Sequence, residues 1–337
     1  MTLDDYILET YRNAGTDLHF VTDFRPTYRN RNGSFTYLQD DPLDADAIEE
    51  VLHPLFNNGK KEHLMAILNE QGDVDLAYTA QGEGTPPVRC RVNVFHDDHG
   101  YAAAFRLFKT TIPTRQELRL PTVTEHLIQH RNGLIIFTAP TGNGKTTSIA
   151  ALLNKINETM DKRIITIEDP VEYQFPREKA IVSQREVGLD CPSFAHGLKS
   201  ALREDPDVIL VGEMRDRDTI LTALSASETG HLVFTTLHAA NVVEAVDRLT
   251  QYFEAEEQAA VRLQVANALL AIIAQQLVPR KGGGKIAAFE VLINTPAISN
   301  VIRSGKTYAI PGYMDHAKDM QHMEESLNEL RSLGFLE

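Results

Sequence analysis

The sequence predicts an α/β protein with a mostly parallel sheet, C-terminal helices and a smaller α+β domain at its N-terminal side. Between residues 116 and 240, short apolar segments alternate with helical patterns, and a glycine-bearing loop joins one of these segments to a helix. Repeated strand and helix order is typical of parallel sheets with helices on both faces. A length of 337 residues, 42% of them hydrophobic, leaves room for one large and one small domain.

Residues 1–108 are predicted to form the smaller domain. Helical spacing covers residues 3–14, 44–56 and 60–68, and strand patterns cover residues 17–21, 27–31, 34–38, 74–79, 88–95 and 102–108. The pair Asn32 and Gly33 predicts the turn of a hairpin. Residues 109–115 contain Pro113 and show no periodicity, so they are the predicted linker.

Residues 116–337 are predicted to form the larger domain. Its expected strands are residues 134–138, 163–167, 180–183, 208–211 and 232–236. After Asn241 the pattern becomes predominantly helical, with helices expected up to Phe253, over 258–277 and over 297–303. The apolar run 265–274 is too short to span a bilayer and is predicted to be a buried helix. A methionine stripe in residues 315–336 is expected to pack against this domain.

The glycine-bearing loop has the composition of a phosphate-binding loop. Residues 139–147 read Ala-Pro-Thr-Gly-Asn-Gly-Lys-Thr-Thr and lie between an apolar strand and a helix, where backbone N–H groups and the helix dipole attract an anion. The first glycine of the usual pattern is replaced by Ala139. Lys145 is expected to bind the β- and γ-phosphates, and Thr146 to bind Mg²⁺. The predicted nucleotide-binding residues are Pro140, Thr141, Gly142, Asn143, Gly144, Lys145, Thr146 and Thr147.

Carboxylates follow two of the predicted strands. Glu213 ends the segment 207–213, and we expect it to polarise the attacking water or to reach Mg²⁺ through water. Glu168, Asp169 and Glu172 follow another strand and are predicted to crowd the same edge, where a cation would relieve their repulsion. The predicted magnesium site therefore comprises Thr146, Glu168, Asp169 and Glu213, with Glu168 also assigned a catalytic role.

Two histidines bracket the predicted strand 232–236. His231 and His238 are interpreted as γ-phosphate sensors or couplers, although a lone histidine is usually only a satisfied polar group. Their spacing does not match a zinc motif, so no zinc site is expected.

Two arginines of the first domain are candidate arginine fingers. Arg91 and Arg106 are predicted within strands, where a guanidinium needs an anion. That anion would be the γ-phosphate bound by a neighbouring subunit or, alternatively, a local carboxylate.

Composition disfavours several other classes of protein. The net charge of −14 argues against a general nucleic-acid binder, so a nucleic-acid motor is the weaker hypothesis. Cys90 and Cys191 are far apart in sequence and form no zinc or disulfide pattern, which fits a reducing cytosol. The first residues are acidic and are not followed by an apolar core, so no signal peptide is expected.

These motifs together resemble the secretion-type, or traffic, ATPases, and most closely the PilT-like pilus retraction ATPases. The segments that carry the likeness are residues 139–147, 167–173, 201–216 and 228–238, with 15–19 and 184–188. The resemblance implies a RecA-like core and a PAS-like first domain. It also implies ATP and Mg²⁺ as cofactors and a homohexameric ring, with Arg91 and Arg106 matching the family's paired arginines. The expected activity is ATP hydrolysis that drives pilin removal during type IV pilus retraction and twitching motility.

The same resemblance implies partners and a location. The expected partners are an inner-membrane platform protein and a paralogous retraction ATPase, at the cytoplasmic face of the inner membrane. The family's coupling motif matches residues 297–304, in particular Ala297, Ile298, Asn300, Ile302 and Arg303. Ser299 and Ser304 stand where the motif has charged residues. The alternatives are a type IV secretion traffic ATPase, a pilus-assembly or export ATPase, and an accessory ring subunit that hydrolyses little ATP.

Overall fold

A computed structural model describes residues 1–30, 32–56, 61–108, 111–315, 317 and 319–337. The chain divides into two compact units. The first comprises Met1–Thr111 and Pro170–Gln174, and the second comprises Ile112–Asp169 and Phe175–Glu337. Of the predicted linker, residues 109 and 110 lie outside the described residues, as do Arg31 at the end of a predicted strand and Lys60 at the start of a predicted helix.

The first unit is an antiparallel sheet of six strands with helices. Its elements are α1 (Leu3–Arg12), β1 (Gly15–Phe20), β2 (Thr27–Asn30), β3 (Phe35–Tyr37), α2 (Ala45–Leu52), a 3₁₀ turn (His53–Phe56), α3 (Lys61–Gln71), β4 (Asp73–Gly82), β5 (Thr85–Asp97) and β6 (Gly100–Leu107). The strand order is β3-β2-β1-β6-β5-β4, with every neighbouring pair antiparallel. The predicted hairpin is confirmed, because β2 pairs with β3 across the turn that contains Gly33.

One face of this sheet forms the core of the first unit. Alternate residues of the strands, such as Leu18, Phe20, Val92 and Phe105, are fully buried, as the period of two along a strand requires. The opposite face carries polar side chains, and Asp17, Arg106 and Arg91 lie side by side there in the strand register. The polar face is therefore the face that presents the predicted arginines.

The second unit contains a seven-stranded sheet. Its elements are α4 (Val123–Leu127), β7 (Gly133–Thr138), α5 (Lys145–Thr159), β8 (Arg163–Glu168), β9 (Ile181–Glu186), α6 (Phe194–Ala201), β10 (Val208–Val211), α7 (Arg217–Glu228), β11 (Leu232–Leu237), α8 (Val242–Gln251), α9 (Gln258–Ala268), β12 (Leu269–Pro279), β13 (Lys285–Ile293), α10 (Pro296–Ser304), a 3₁₀ turn (Thr307–Ala309), α11 (Ile310–Met314) and α12 (Met323–Ser332). The order is β13-β12-β7-β11-β10-β8-β9.

The sheet is parallel except for its β12–β13 pair, so the predicted mostly parallel sheet is confirmed. Strands β7, β10 and β11 are buried along their whole length because apolar clusters cover both faces. Their carboxyl ends meet at one edge, which is where ligands bind in open α/β sheets.

The prediction of a helix over residues 258–277 is wrong in its second half. Helix α9 ends at Ala268, and the chain continues as β12, which pairs with β7 on one side and with β13 on the other. A buried apolar run has the same composition in a helix and in a central strand, so periodicity does not distinguish them. The predicted C-terminal helices therefore flank a β-hairpin, whose second strand, β13, was not predicted although it is largely apolar.

The tail packs against this hairpin. Met323, Leu327 and the buried Leu330 of α12 contact Ile286 and Ala288 of β13, which confirms the expected packing of the stripe. Residues 316 and 318, in the segment 315–336 that contains the stripe, lie outside the described residues. In the described part of the chain, no helix combines the length and the apolar character that a membrane crossing needs.

Candidate functional site

The loop between β7 and α5 has the backbone conformation of an anion cradle. Gly142 and Gly144 have φ values of +77° and +80°, in the left-handed region that favours glycine. Gly144 lies directly before α5, so the first N–H groups of that helix open towards the loop. Ala139 is fully buried and is absent from the described non-glycine residues with positive φ. Its backbone therefore does not require the glycine usual at that position.

Lys145 begins helix α5 and turns back over the loop. Its Nζ donates to the carbonyl oxygen of Ala139 at 2.8 Å and lies 3.5 Å from that of Pro140. The side chain is largely buried, so the ammonium is held at the mouth of the loop. Thr146 follows in the first turn of the same helix and is half-buried. The cation and the hydroxyl of the predicted motif thus lie on adjacent residues at one helix start.

A glutamine that sequence analysis missed supports the loop from the neighbouring strand. Gln275 of β12 accepts from Ser148 Oγ at 2.7 Å and donates to the carbonyl oxygen of Asn143 at 2.6 Å. The side-chain oxygen of Asn143 accepts from the backbone N–H of Leu277 at 2.9 Å. A Cβ on Gly144 would lie 2.9 Å from Gln275 Nε2. Position 144 therefore favours glycine for two reasons: the positive φ of its backbone and the close approach of Gln275.

Glu213 lies just beyond β10 and is held by two neighbours. Its carboxylate accepts from Arg215 Nε at 2.7 Å and lies 3.2 Å from His238 Nε2. Arg215 Nη1 is also 3.6 Å from the carboxylate of Asp169. The predicted catalytic carboxylate thus lies in a charged cluster at the carboxyl edge of the sheet. No sequence motif assigns a role to Arg215, although it stands two residues after Glu213.

Two hydrogen bonds fix the chain that carries His238. Thr138 Oγ1 donates to the carbonyl oxygen of Ala239 at 2.8 Å and accepts from its N–H at 2.9 Å, which ties the end of β7 to the residue after His238. Burial lowers the pKa of His238 below its ordinary value, and the ammonium of Lys145 lowers it further, although Glu213 acts in the opposite direction. The imidazole is therefore neutral near pH 7.

His231 is not at this edge. It precedes β11 while His238 follows it, and its Nδ1 lies 3.0 Å from the carbonyl oxygen of Ala226. The six-residue strand β11 lies between the two histidines, which are therefore separated by roughly 23 Å, at about 3.3 Å for each of seven residue steps. Within one chain, the structure brings His238 to Glu213 and leaves His231 at the opposite edge of the sheet.

The acidic segment after β8 is divided between the two units. Glu168 is 6% exposed and accepts from Thr166 Oγ1 at 2.6 Å and from Gln184 Nε2 at 3.3 Å. Asp169 belongs to the second unit, whereas Glu172 lies in Pro170–Gln174, which groups with the first unit. Of the three carboxylates expected to crowd one edge of the sheet, Glu168 and Asp169 belong to the second unit.

The described residues contain no group of three or more histidines, cysteines, aspartates or glutamates placed to hold a metal ion. This finding does not conflict with a nucleotide-bound Mg²⁺, which usually takes one or two protein ligands and completes its shell with phosphates and water. The Thr146 hydroxyl at the start of α5 and the nearby carboxylates supply oxygen ligands of the kind that Mg²⁺ prefers.

Both predicted finger arginines form ion pairs inside the first unit. Arg91 Nη2 lies 2.9 Å from Asp75, and Arg106 Nε lies 3.0 Å from Asp17. In this structure, the anion beside each arginine is therefore a local carboxylate, which was the alternative to the γ-phosphate of a neighbouring subunit. The two arginines are directly opposite each other on β5 and β6, on the polar face of the sheet.

The predicted coupling motif forms helix α10. Ile298 and Ile302 are fully buried, whereas Asn300 and Arg303 are exposed. Ser299 is buried, and its hydroxyl contacts the carbonyl oxygen of Ala266 at 3.0 Å and Asn294 Oδ1 at 2.9 Å. The serine that departs from the family motif therefore has hydrogen-bond partners inside the second unit.

Comparison with known proteins agrees with this geometry. Residues 105–309 match the family model of the type II/IV secretion system proteins. The chain is 38% identical to PilT of Pseudomonas aeruginosa, a type IV pilus retraction ATPase, over 306 residues, which cover 91% of this chain and 86% of the relative. It is 41% identical to a twitching motility protein of Neisseria gonorrhoeae over 297 residues, covering 87% and 77% of the two chains.

Solved structures give the same result. The pilus retraction motor PilT with bound ADP superposes with a TM-score of 0.89 at 38% identity, covering 100% of this chain and 95% of that chain. The ATPase DotB of Legionella pneumophila superposes with a TM-score of 0.84 at 25% identity, covering 100% and 94%. The chain therefore belongs to the type II/IV secretion system protein family, in which it is a PilT-like ATPase.

Proposed function

We propose that this protein is a hexameric ATPase motor that couples ATP hydrolysis to type IV pilus retraction. The observation that carries the proposal is the convergence of Lys145, Glu213 and His238 at the sheet edge beside a glycine-bearing loop. Similarity to two retraction and twitching proteins over most of the chain supports the choice of retraction.

We assign the binding of ATP to residues 140–147. Backbone N–H groups of the loop and of the first turn of α5 would hold the phosphates, and Lys145 would leave the Ala139 carbonyl to contact them. Thr146 would bind Mg²⁺ directly, and Glu168, Asp169 and Glu213 would reach it through water. Mg²⁺ would neutralise charge that develops on the phosphates.

Glu213 is the proposed general base for the attacking water. Its two oxygens contact Arg215 and His238, so the attacking water would displace or share one of these contacts. Neutral His238 can donate one hydrogen bond through Nε2, which suits a group that senses the γ-phosphate beside Glu213. If His231 also has a catalytic role, it would have to act from the end of β11 that lies opposite His238 and Glu213.

We propose a domain division into residues 1–108, a linker over 109–115, and an ATPase domain over 116–337. Arg91 and Arg106 would serve as arginine fingers towards a nucleotide in the assembled homohexamer, which requires them to exchange Asp75 and Asp17 for phosphate. Both arginine–aspartate ion pairs are at least partly exposed to water, and exposed ion pairs contribute little to the free energy of unfolding. The exchange is therefore energetically accessible.

The proposed partners are an inner-membrane platform protein and a paralogous retraction ATPase, at the cytoplasmic face of the inner membrane. The residues proposed for coupling are those of α10: Ala297, Ile298, Asn300, Ile302 and Arg303. Its exposed Asn300 and Arg303 are available for contact, while its buried isoleucines fix the helix. No nucleic-acid partner and no zinc are proposed.

A traffic ATPase of a type IV secretion system, or a pilus-assembly or export ATPase, is the second candidate. It is favoured by the match to a family described for both type II and type IV secretion. Both candidates use the same hydrolytic site, so they differ in the machine that the motor drives.

Deleting the gene and counting surface pili by electron microscopy tests the direction of the motor. Retraction predicts more pili per cell and loss of surface motility, and restoration by the wild-type gene but not by a Glu213→Gln gene. A Glu257→Gln gene is the matched control, because Glu257 pairs with Arg217 rather than with Arg215 or His238. Fewer pili in the deletion strain would contradict retraction and favour assembly or export.

A further inference from the structure

The β2–β3 hairpin of the first unit carries exposed aromatic side chains that the proposed function does not use. Phe24, Phe35 and Tyr37 are 49%, 56% and 51% exposed, and β3 has no buried residue. Large aromatic residues are costly to leave in water in a group, and exposed apolar groups of this kind often mark interaction sites. We call Phe24, Arg25, Arg29, Phe35 and Tyr37 the hairpin surface.

Arginines hold the rings of the hairpin surface in place. The guanidinium carbon of Arg29 lies 4.2 Å from the centroid of the Phe35 ring, and that of Arg25 lies 5.1 Å from the Tyr37 ring. Phe24 meets Tyr37 edge to face at 6.1 Å. These cation–π and aromatic contacts order the side chains before any partner arrives, which lowers the entropy cost of binding.

The same hairpin offers unpaired backbone groups. Strand β3 is the last strand of its sheet. Between β3 and β2, the N–H of Leu38 donates to the carbonyl oxygen of Pro26, and the N–H of Asn30 donates to the carbonyl oxygen of Ser34. Because inward and outward backbone groups alternate in an antiparallel pair, the N–H and C=O groups of Phe35 and Tyr37 point away from β2. In the described part of the chain, no further strand pairs with that edge.

The charge of the hairpin is opposite to that of the chain. Residues 24–38 contain three arginines and no aspartate or glutamate, whereas the whole chain has a net charge of −14. The carboxylate of Asp17, which lies opposite Arg29 on β1, is engaged by Arg106 at 3.0 Å. Acidic residues flank this stretch, with Asp23 before it and Asp40 and Asp41 after it. The hairpin is thus a local cationic surface on an acidic protein.

We propose that the hairpin surface binds an extended acidic segment of another protein, which adds as a strand to the edge of β3. The partner's backbone would pair with the outward groups of Phe35 and Tyr37. Its carboxylates would meet Arg25 and Arg29, and its aliphatic groups would cover the rings. Single-stranded nucleic acid also binds basic aromatic surfaces, but it has no peptide backbone that could pair as a strand with the outward N–H and C=O groups of Phe35 and Tyr37.

Fluorescence anisotropy with the full-length protein tests this proposal. The probe is a labelled eight-residue peptide of alternating glutamate and valine, and we expect saturable binding. The protein variant Arg25→Glu/Arg29→Glu should weaken binding at least tenfold. The matched variant Arg203→Glu/Arg331→Glu changes the net charge equally at two other exposed arginines and should weaken binding much less. A peptide methylated on its backbone nitrogens should also bind at least tenfold more weakly, and this comparison leaves the protein unaltered.

Four outcomes would overturn the proposal. They are absence of binding by the glutamate–valine peptide, equal weakening by both double variants, equal binding of the methylated peptide, and tighter binding of a labelled oligothymidine that needs Arg25 and Arg29. Light scattering adds a further check. If Arg25→Glu/Arg29→Glu abolishes self-association and the peptide does not bind, the hairpin surface belongs to a second copy of this chain.

Discussion

Gln275 offers a sharp test of how the nucleotide loop is held in shape. The side chain is 4% exposed and joins Ser148 on α5 to the carbonyl oxygen of Asn143 in the loop. Gln275→Leu keeps the approximate volume but removes both hydrogen bonds. Leaving two buried polar groups without partners costs about 2–4 kcal/mol, at roughly 1–2 kcal/mol each. The loop should then be less stable and less well ordered for phosphate.

Two measurements check this prediction. The first is the melting temperature, which should fall by about 8 °C, since about 1 kcal/mol corresponds to 2–4 °C for a unit of this size. The second is ADP affinity by calorimetry, which should fall about fivefold for each kcal/mol of lost loop order.

The neighbouring residue supplies a matched control for Gln275. Gln276 lies on the same strand but is exposed, so Gln276→Leu should leave the melting temperature and ADP affinity nearly unchanged. If Gln275→Leu and Gln276→Leu behave alike in both assays, the proposed role of the two hydrogen bonds is refuted.

Three other predictions concern the charged residues. Lys145→Ala should abolish measurable ADP binding in calorimetry because it removes the ammonium at the loop; unchanged affinity would contradict the assignment. Arg91→Ala and Arg106→Ala should each lower phosphate release by the assembled ring about tenfold or more, while ADP affinity stays close to wild type; full activity in both variants would remove the finger role. Below about pH 6.5 the unfolded chain binds a proton that folded His238, with its lowered pKa, does not. The free energy of unfolding should therefore decrease as the pH is lowered through that range, and should decrease less steeply in His238→Gln; identical slopes in denaturant titrations would contradict this.

Much of the fold was predictable because local patterns and tertiary structure agree. The buried strands β7, β8, β10 and β11 are short apolar runs between helical patterns, and the glycine-bearing loop identifies the edge where the site lies. Each motif that follows such a strand was expected at that edge, and the structure places Glu213 and His238 there.

The remaining features depend on contacts that are distant in sequence. Strand β12 has an apolar composition that suits a helix equally well, and only its pairing with β7 decides its conformation. Gln275 lies 127 residues after Ser148, so no local pattern relates them. His231 and His238 show the reverse: they are close in sequence, within a single motif, but the length of β11 keeps them far apart in space.

Phosphate release by Glu213→Gln measures the central assignment most directly. Glutamine keeps the shape of the side chain but cannot accept the proton of the attacking water. We expect turnover to fall at least 100-fold, within the range of about 10²–10⁴ for loss of a general base. We also expect ADP affinity to change by no more than a few fold, and Glu257→Gln to turn over like wild type. Turnover by Glu213→Gln equal to that of wild type would contradict the assignment of Glu213 as the base.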